Sequence, residues 1–518
     1  MSPARLAAFD ALTQVEASDA YANLVLPPLL RERGITGRDA AFATELTYGT
    51  LRMRARYDAV VNLVSSRPVS DQDAAVAHVL RLGTHQLLAM RVPDHAAVSE
   101  SVALARQVGG EGQSNFVNAV LRRISEHPAE HWLAQLGEVA GEAGLDVPVA
   151  AAVHSHPAWM IRAIRAALGK QATPAELEAA LVASNTPAPV NLSLRPGLAG
   201  PQDLPADSGE PGTWAPTAWI LQAGDPGELP AVASGGAGVQ DEGSQLVTLA
   251  LSEAELDGPD ATWLDLCAGP GGKAALLGAL LAQRAPEGVL VANEVAPHRA
   301  ALVQESVRAV RRQLPGLQVR TGDGREVGGS EPGRYDRVLV DAPCTGMGAL
   351  RRRPEARWRR TPEDLSTLTP LQRELLTSAL HAVRPGGVVA YVTCSPHVAE
   401  TELVVADVLA SFPGAELLDA PGVLARVAGR DVVGHRWAPP GSAEDASSDA
   451  GAGEGGQSRL VEGGPSGAAE RSEPGVAEGS DAGAVDGSDG AVAADQRTAQ
   501  LWPHRHGTDA MFLALIRR

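Results

Sequence analysis

The sequence of 518 residues contains little cysteine and almost no lysine. It has three cysteines and no Cys-x-x-Cys pair, which excludes a disulfide scaffold and a cysteine-rich zinc site. It lacks a run of about eighteen apolar residues that would span a bilayer. No apolar secretory leader with a cleavage site is recognisable at its start. We therefore expect a protein of the reducing cytoplasm with no membrane partner.

Positive charge is also scarce, since the formal net charge is −18 and lysine occurs only at Lys170 and Lys273. This balance argues against a broadly basic nucleic-acid-binding protein. Part of the negative charge lies in residues 441–495, a segment rich in Gly, Ala and Ser with twelve acidic residues and two arginines. We expect this segment to be disordered, because it has almost no large apolar residue to bury. A strand-like segment, 511–516, follows it, so the acidic segment is an insertion within the last domain.

The hydrophobic pattern divides the chain into three parts. Residues 1–130 repeat apolar residues at intervals of three and four, which predicts an all-helical domain. Residues 150–238 are rich in proline and glycine and predict a small connecting domain of short mixed elements. From 239 to 518, strands alternate with helices, which is typical of βαβ units and predicts a parallel, doubly wound sheet. The fold class is therefore multidomain, α and α/β.

Each of the three cysteines, Cys267, Cys344 and Cys394, lies just after a short apolar run. The carboxyl ends of parallel strands form the ligand crevice of such a sheet, so three thiols there are candidates for one shared site. The alternative for each is a buried cysteine that acts only as a small hydrophobic residue. The glycine-rich turn at Cys267 and the Asp-Ala-Pro-Cys turn at Cys344 favour a chemical role.

A glycine-rich turn follows the first strand of this region and opens a helix. Its glycines let the backbone approach a ligand, and the helix N-terminus offers unpaired N–H groups. It is not a phosphate loop, because Ala274 follows Lys273 where Ser or Thr is required, and it lacks the dinucleotide spacing. The residues of the turn are Cys267, Ala268, Gly269, Pro270, Gly271, Gly272 and Lys273.

Acidic residues end the next three strands. Glu294 ends the second strand, where an acid binds ribose hydroxyls, and Asp323 ends the third, near the position of an adenine amino group. Asp341 ends the fourth. A single acid at such a position is more often a helix cap or a solvated residue. Three acids in register predict an adenosyl ligand without phosphates.

These motifs resemble those of the Sun (Fmu, RsmB) family of RNA cytosine-5 methyltransferases, which use S-adenosylmethionine. Two N-terminal segments, 38–49 and 116–123, resemble the NusB-like RNA-binding domain of the bacterial 16S rRNA type. The sequence departs from the family at Ala510-Met511, where Gly-Phe is usual. The segments that match the catalytic part are 240–245, 265–273, 341–348, 391–395 and 503–509.

The resemblance implies a Rossmann-type methyltransferase domain and a covalent mechanism. Carbon 5 of cytosine is a poor nucleophile, so a thiolate first adds to carbon 6, and it leaves after methyl transfer. The resemblance assigns attack to Cys394, release to Cys344 and a contact with the base to Asp341. DNA cytosine methyltransferases use a Pro-Cys thiol for attack, so the motif alone leaves Cys344 as an alternative nucleophile. The implied cofactor contacts are the seven residues of the glycine turn with Glu294, Asp323 and Asp341.

An arginine-rich segment follows the Cys344 turn. A solvated run of charge is the ordinary interpretation, but its place beside the catalytic turn of an acidic protein favours RNA contacts, with arginine on phosphates and tryptophan for stacking. His504 and His506 have no third ligand nearby, so no metal is expected. The predicted RNA contacts are Arg351, Arg352, Arg353, Arg357, Trp358 and Arg360.

The expected protein is a cytoplasmic, monomeric enzyme that methylates 16S rRNA on a base presented in a loop or flipped from a helix. A tRNA methyltransferase is an alternative with the same chemistry, and the NusB-like domain favours rRNA. A second alternative is a non-catalytic RNA-binding or antitermination factor with a degenerate methyltransferase fold. The intact motifs of the glycine turn and of both catalytic cysteines weigh against it.

Overall fold

The computed structural model describes residues 2–18, 20–137, 140–141, 144–222, 224–433 and 497–518. The acidic segment 441–495, for which the sequence predicts disorder, lies outside the described residues. No helix within these ranges is long and apolar enough to cross a membrane.

The described residues before 137 form a helical bundle, as the apolar spacing predicts. Phe9, Leu12 and Val15 lie on one face of the first helix and pack into its core. The fifth helix is buried along 76–86 and occupies the centre of the bundle. The helices are α1 (Pro3–Ala17), α2 (Ala22–Glu32), α3 (Gly37–Arg52), α4 (Arg54–Val64), α5 (Ala74–Leu88), α6 (Asp94–Gly109), α7 (Glu111–Ser125) and α8 (Ala129–Leu136).

The connecting region begins with a two-stranded pair, β1 (Ala140–Gly141) and β2 (Gly144–Leu145), and three helices. The helices differ from the predicted short mixed elements, because prolines such as Pro174 stand in the first turn of a helix, where the missing N–H is not needed. Their core includes Met347 and Leu350, which follow the Cys344 turn. The three helices are α9 (Val147–Val153), α10 (Ala158–Leu168) and α11 (Pro174–Asn185).

The second half of this region is a four-stranded antiparallel sheet in the order β4-β5-β3-β6. It packs its own small core around Leu192 and Trp219. Its elements are β3 (Val190–Leu194), β4 (Gly209–Pro211), β5 (Ala218–Leu221), α12 (Pro230–Ala233) and β6 (Ala237–Val239).

The last region is built on an eight-stranded sheet in the order β12-β14-β11-β10-β7-β8-β9, with β13 paired to β14. The strands β9, β8, β7, β10 and β11 are parallel, as the strand and helix alternation predicts. β14 is antiparallel to β11, so the sheet is mixed. The strands are β7 (Thr262–Asp265), β8 (Val289–Glu294), β9 (Gly316–Thr321), β10 (Tyr335–Asp341), β11 (Val383–Thr393), β12 (Glu416–Leu417), β13 (Ala499–Gln500) and β14 (Phe512–Arg517).

Helices cover both faces of this sheet and confirm the Rossmann-type class. The helix that begins at Pro297 ends at Ser306, and a separate 3-10 turn, Val310–Arg312, follows. Because β7 pairs with both β8 and β10, the strand order reverses there and opens a crevice at their carboxyl ends. The helices are α13 (Glu242–Glu253), α14 (Gly272–Arg284), α15 (Pro297–Ser306), α16 (Val327–Ser330), α17 (Ala356–Arg359), α18 (Leu365–Ala382), α19 (Glu402–Ala410), α20 (Ala420–Ala428) and α21 (Pro503–His506).

Candidate active site

The glycine turn between β7 and α14 lies at the point where the strand order reverses. Gly271 has a φ of +109°, and a Cβ there would lie 2.7 Å from the Cβ of Ser306. A Cβ on Gly269 would lie 2.4 Å from Oε2 of Glu294. The turn therefore requires glycine at both positions, because a side chain there would meet Glu294 or Ser306.

Glu294 is buried at the end of β8 and holds this turn. Its Oε2 accepts a hydrogen bond from the N–H of Gly269 at 3.0 Å, and its Oε1 accepts one from Ala296 at 3.0 Å. Arg299 donates to the carbonyl of Gly269 at 2.6 Å and lies 3.6 Å from Oε2 of Glu294. The sequence predicted Glu294 but not Arg299. Contact of Glu294 with a ribose stays a prediction.

Asp265 is the buried acid that sequence reasoning passed over. Its side chain is 0% exposed, and neither carboxylate oxygen makes a hydrogen bond of ordinary length and angle among the described residues, although the nearby backbone N–H of Cys267 lowers its pKa slightly. Burial, and next the charge of Asp341, raise its pKa to about 8. An acid inside an apolar strand directly before the glycine turn was the available signal. A buried carboxyl without such hydrogen bonds beneath this turn fits a ligand that supplies them.

Asp323 follows β9 and is already engaged by its neighbour. Its carboxylate accepts from the backbone N–H of Arg325 at 2.9 Å and pairs with the Arg325 guanidinium at 2.6 Å. The hydrogen bond from the Arg325 side chain lowers the pKa of Asp323 despite slight burial. The carboxylate of Asp323 is therefore ionised and partly engaged by Arg325. Its contact with an adenine amino group stays a prediction.

The structure brings two of the three cysteines into contact. Cys344 and Cys394 follow β10 and β11, which are neighbours, and their sulfur atoms lie 3.5 Å apart. The backbone N–H of Gly348 donates to the carbonyl of Cys394 at 2.9 Å and ties the two turns together. Cys267 follows β7 and packs against the core instead.

A buried glutamate, Glu400, fixes the Cys344 turn. Its Oε1 accepts from the N–H of Thr345 at 2.8 Å, and its Oε2 accepts from the Thr345 hydroxyl. Gln372 donates to Oε1 at 3.1 Å and to the carbonyl of Pro343 at 2.8 Å. Sequence reasoning missed Glu400 because it lies in a turn after β11 without a motif of its own. These hydrogen bonds fix the backbone of the Cys344 turn from the side of Glu400 and Gln372.

The two thiols have different electrostatic surroundings. A hydrogen bond from Cys344 lowers the pKa of Cys394, and Lys273 and Arg353 lower it further, although burial and Asp341 oppose them. The same hydrogen bond, burial and the charge of Glu400 hold the pKa of Cys344 well above its ordinary range. The asymmetry favours Cys394 as the thiolate.

Lys273 connects the glycine turn with the thiol pair. Its Nζ donates to Oδ2 of Asp341 at 2.8 Å. Burial disfavours the charged lysine, but the charge and hydrogen bond of Asp341 outweigh it and raise the pKa of Lys273. Cys267 behaves differently, because burial and the neighbouring Asp265 raise its pKa well above the ordinary value. The chemistry therefore concentrates at Lys273, Asp341 and the other two cysteines.

The arginine segment is mostly an internal connection, which corrects part of the RNA prediction. Arg357 is 0% exposed and donates to the carbonyls of Arg52 and Ser155 and to Oδ1 of Asn185. Arg351 is buried and donates to the carbonyl of Gly507 at 2.6 Å. The prediction of RNA contacts is wrong for these two residues, because their guanidinium groups already bind protein carbonyls and are withdrawn from solvent.

The other predicted RNA contacts lie closer to solvent. Arg352 pairs with the buried carboxylate of Asp509, and Arg353 lies 4.9 Å from the ring centroid of Tyr21. Trp358 donates from Nε1 to the carbonyl of Leu51 at 2.8 Å, and Arg360 lies 3.7 Å from Asp364. RNA contact by these four residues stays a prediction.

The C-terminal histidines have structural partners. Nδ1 of His506 accepts from the N–H of Trp502 at 2.8 Å, and His504 lies 3.6 Å from the carboxylate of Glu176. Within the described ranges, no group of three or more His, Cys, Asp or Glu side chains is arranged to hold a metal ion.

Comparison with known proteins supports the division of the chain into a helical N-terminal region and a catalytic region. Residues 250–445 match the model of the 16S rRNA methyltransferase RsmB/F family, and residues 2–126 match that of the NusB family. A putative methyltransferase of Mycobacterium tuberculosis is 46% identical, over 100% of this chain and 97% of the relative. The ribosomal RNA small subunit methyltransferase B of Vibrio cholerae is 31% identical, over 80% of this chain and 91% of the relative.

A probable ribosomal RNA small subunit methyltransferase B of Bacillus subtilis is 30% identical, over 79% of this chain and 88% of the relative. The crystal structure of PH0851 has the same fold, with a TM-score of 0.69 at 19% identity over 100% of this chain and 99% of that chain. The chain therefore belongs to the 16S rRNA methyltransferase RsmB/F family and carries a NusB-family domain in its N-terminal part.

Proposed function

We propose that this protein transfers a methyl group from S-adenosylmethionine to carbon 5 of a cytidine in 16S rRNA, in the cytoplasm, through a covalent intermediate on Cys394. The observation that carries the proposal is the pair of thiols 3.5 Å apart beside the Lys273–Asp341 ion pair. Methyl transfer to an oxygen or nitrogen atom needs no nucleophilic thiol, whereas carbon 5 of cytosine must first be activated by addition at carbon 6.

The polar groups of the crevice suit the binding of S-adenosylmethionine. The open glycine turn at the N-terminus of α14 suits close approach of the ligand, and Glu294 and Asp323 stand at the ends of the next two strands. The buried carboxyl of Asp265, which makes no hydrogen bond of ordinary length and angle among the described residues, adds a polar group that a bound ligand would satisfy. When bound, S-adenosylmethionine supplies an electrophilic methyl group.

The proposed reaction begins with Cys394. Its thiolate forms a bond to carbon 6 of cytosine, and the electron pair of the carbon 5–carbon 6 double bond becomes available at carbon 5 for methylation. Asp341, held by Lys273 at 2.8 Å, hydrogen-bonds the Watson–Crick edge and orients the ring. Loss of the proton from carbon 5 to a base then restores the double bond and expels the thiolate. Cys344, in contact with Cys394, assists this elimination.

The choice of rRNA over tRNA is supported by the family of the catalytic part and by the NusB-family domain. The test incubates the purified protein with S-adenosylmethionine labelled on its methyl group and with 16S rRNA, tRNA or 23S rRNA made by transcription. We expect label in 16S rRNA alone, at one cytidine that bisulfite sequencing reports as protected. The same cytidine should be unprotected in a deletion strain. Label in tRNA, or label at a base other than cytosine, contradicts the proposal.

A further inference from the structure

A cavity of about 240 Å³ lies between the N-terminal bundle and α17, away from the thiol crevice. Leu12 and Val15 of α1 form part of its apolar wall. The catalytic region contributes Glu355, Trp358 and Arg359. The volume is slightly below the usual range of small-ligand pockets, which begins at about 300 Å³, and corresponds to a small ligand.

Two buried residues of the lining, Glu355 and Thr50, each have a side-chain oxygen without a hydrogen-bond partner among the described residues. Glu355 is 2% exposed; its Oε1 accepts from the N–H of Ala22 at 2.9 Å, but its Oε2 has no hydrogen-bond partner among the described residues. Thr50 is 1% exposed, and its Oγ1 also has none there. Buried polar groups are almost always hydrogen-bonded, so two unpartnered oxygens in residues of one cavity lining favour a ligand with hydrogen-bonding groups, which a small rotation of each side chain would reach.

The remaining wall is aromatic and positively charged. Trp358 lines the cavity, with the Arg54 guanidinium 5.8 Å from its ring centroid. Three arginines line the cavity against two acids, Glu16 and Glu355. Arg81 is paired with Asp58 and Arg359 donates to backbone carbonyls of the bundle, so Arg54, 3.5 Å from Glu16, is the arginine most open to a phosphate. An aromatic ring, a hydrogen-bonding edge and nearby arginines are the combination by which proteins bind an unstacked nucleobase and its phosphate.

We propose that this cavity binds one nucleobase of single-stranded RNA, with Trp358 against the face of the base and with Glu355 Oε2 and Thr50 Oγ1 on its N–H edge. The inference deepens the proposed function, because it requires that the substrate is RNA. Glu355 lies eleven residues after Cys344 in the segment that continues from the catalytic turn. A nucleotide held there is anchored outside the thiol crevice while another base of the same RNA is methylated.

The test compares affinity for 16S rRNA transcribed in vitro, at fixed salt, among three single variants. Glu355→Gln keeps the size of the side chain and the acceptor for Ala22 but removes the negative acceptor. We expect about tenfold weaker binding, as for loss of one hydrogen bond to a charged group. The matched control is Glu363→Gln, which removes the same charge from an exposed position. It should bind RNA as tightly as wild type or slightly more tightly, because a negative charge is lost.

Thr50→Val keeps the proposal testable if Glu355→Gln fails to fold. It replaces a hydroxyl without a partner by a methyl group of similar size, so the melting temperature should stay equal or rise. Its RNA affinity should nevertheless fall severalfold. A melting temperature and an RNA affinity both equal to those of wild type would show that the cavity holds only water.

Further measurements identify the ligand of the cavity and distinguish a failure of the cavity proposal from a failure of the proposed function. Competition with AMP, CMP, GMP and UMP should displace RNA only weakly, because a mononucleotide lacks the other contacts of the RNA. Saturable binding of a mononucleotide that is lost in Thr50→Val, with RNA affinity unchanged, would make a free nucleotide the ligand and overturn the proposal. Wild-type protein that neither binds nor methylates RNA contradicts the proposed function. If the wild type methylates RNA normally and the variants bind RNA as tightly as the wild type, only the proposal of a nucleobase in the cavity is contradicted.

Discussion

Cys344→Ala should make Cys394 a weaker nucleophile before any RNA is bound. In the wild type the Cys344 thiol contacts the Cys394 sulfur at 3.5 Å and, as hydrogen-bond donor, lowers its pKa. A hydrogen bond to a charged group contributes about 1.5–3 kcal/mol. Its removal should raise the pKa of Cys394 and reduce the thiolate population at neutral pH by about tenfold or more, since about 1.4 kcal/mol corresponds to a factor of ten.

The assay is the rate of alkylation of Cys394 by iodoacetamide, followed by mass spectrometry of its peptide. At pH 7 the rate in Cys344→Ala should be about tenfold or more below that of wild type. At high pH the two rates should converge, because both proteins then carry the thiolate. Cys267→Ala is the control, since this thiol packs against the core and should leave the rate unchanged. Equal rates at pH 7 in wild type and Cys344→Ala would refute the assignment of Cys394 as the hydrogen-bonded thiolate.

Substitution of each of the two cysteines should have a different effect on the reaction with RNA. Cys394→Ala should bind RNA but form no covalent adduct and no methylated product. Cys344→Ala still permits attack by Cys394 but slows release, so it should accumulate a complex that migrates slowly on a denaturing gel and disappears with ribonuclease. A trapped complex in Cys394→Ala and none in Cys344→Ala would reverse the roles. Methylation that survives in both variants would contradict covalent catalysis.

Three further outcomes test other parts of the structure. Glu294→Ala should weaken binding of S-adenosylmethionine about tenfold or more in calorimetry without Mg²⁺, whereas the exposed Glu305→Ala on α15 should not; equal affinity in both removes Glu294 from the site. The pKa of Asp265 is raised to about 8 in the folded state. Between about pH 4 and pH 8 the folded state therefore keeps a proton that the unfolded state has released. The free energy of unfolding consequently falls as the pH rises toward 8. The melting temperature of Asp265→Asn, measured relative to wild type without ligand, should therefore increase from pH 5 to pH 8, and a constant difference would contradict the buried carboxyl. Arg357→Ala should lower the free energy of unfolding by about 3 kcal/mol or more in a denaturant titration, whereas the exposed Arg353→Ala should change it by about 0.5 kcal/mol or less; equal stabilities would contradict the internal role of Arg357.

The position of the candidate site was predictable because its signals are local. Each signal, whether a strand end, the glycine turn or a cysteine just after an apolar run, is visible within a short stretch of sequence, and parallel pairing brings the strand ends to one edge. The contact of Cys344 with Cys394 follows from the pairing of two neighbouring strands. The Rossmann-type class was confirmed for the same reason.

The arginine segment shows what local signals miss. Six arginines after a catalytic turn predict a nucleic-acid surface, yet Arg357 is enclosed by carbonyls of residues far away in the sequence. Glu400 and Asp265 were missed for related reasons, since one lies in a turn without a motif and the other inside an apolar strand. Burial depends on which elements meet in space, and composition does not contain that information.

Arg357 also sets an order of events during synthesis. The carbonyl of Arg52 that it binds precedes it by 305 residues. At about 5–20 residues per second, the N-terminal helices leave the ribosome about 15–60 s before this arginine does. During that interval water must hydrogen-bond the carbonyls that the guanidinium later occupies. The docking surface of the bundle therefore stays in contact with solvent until Arg357 has been synthesised.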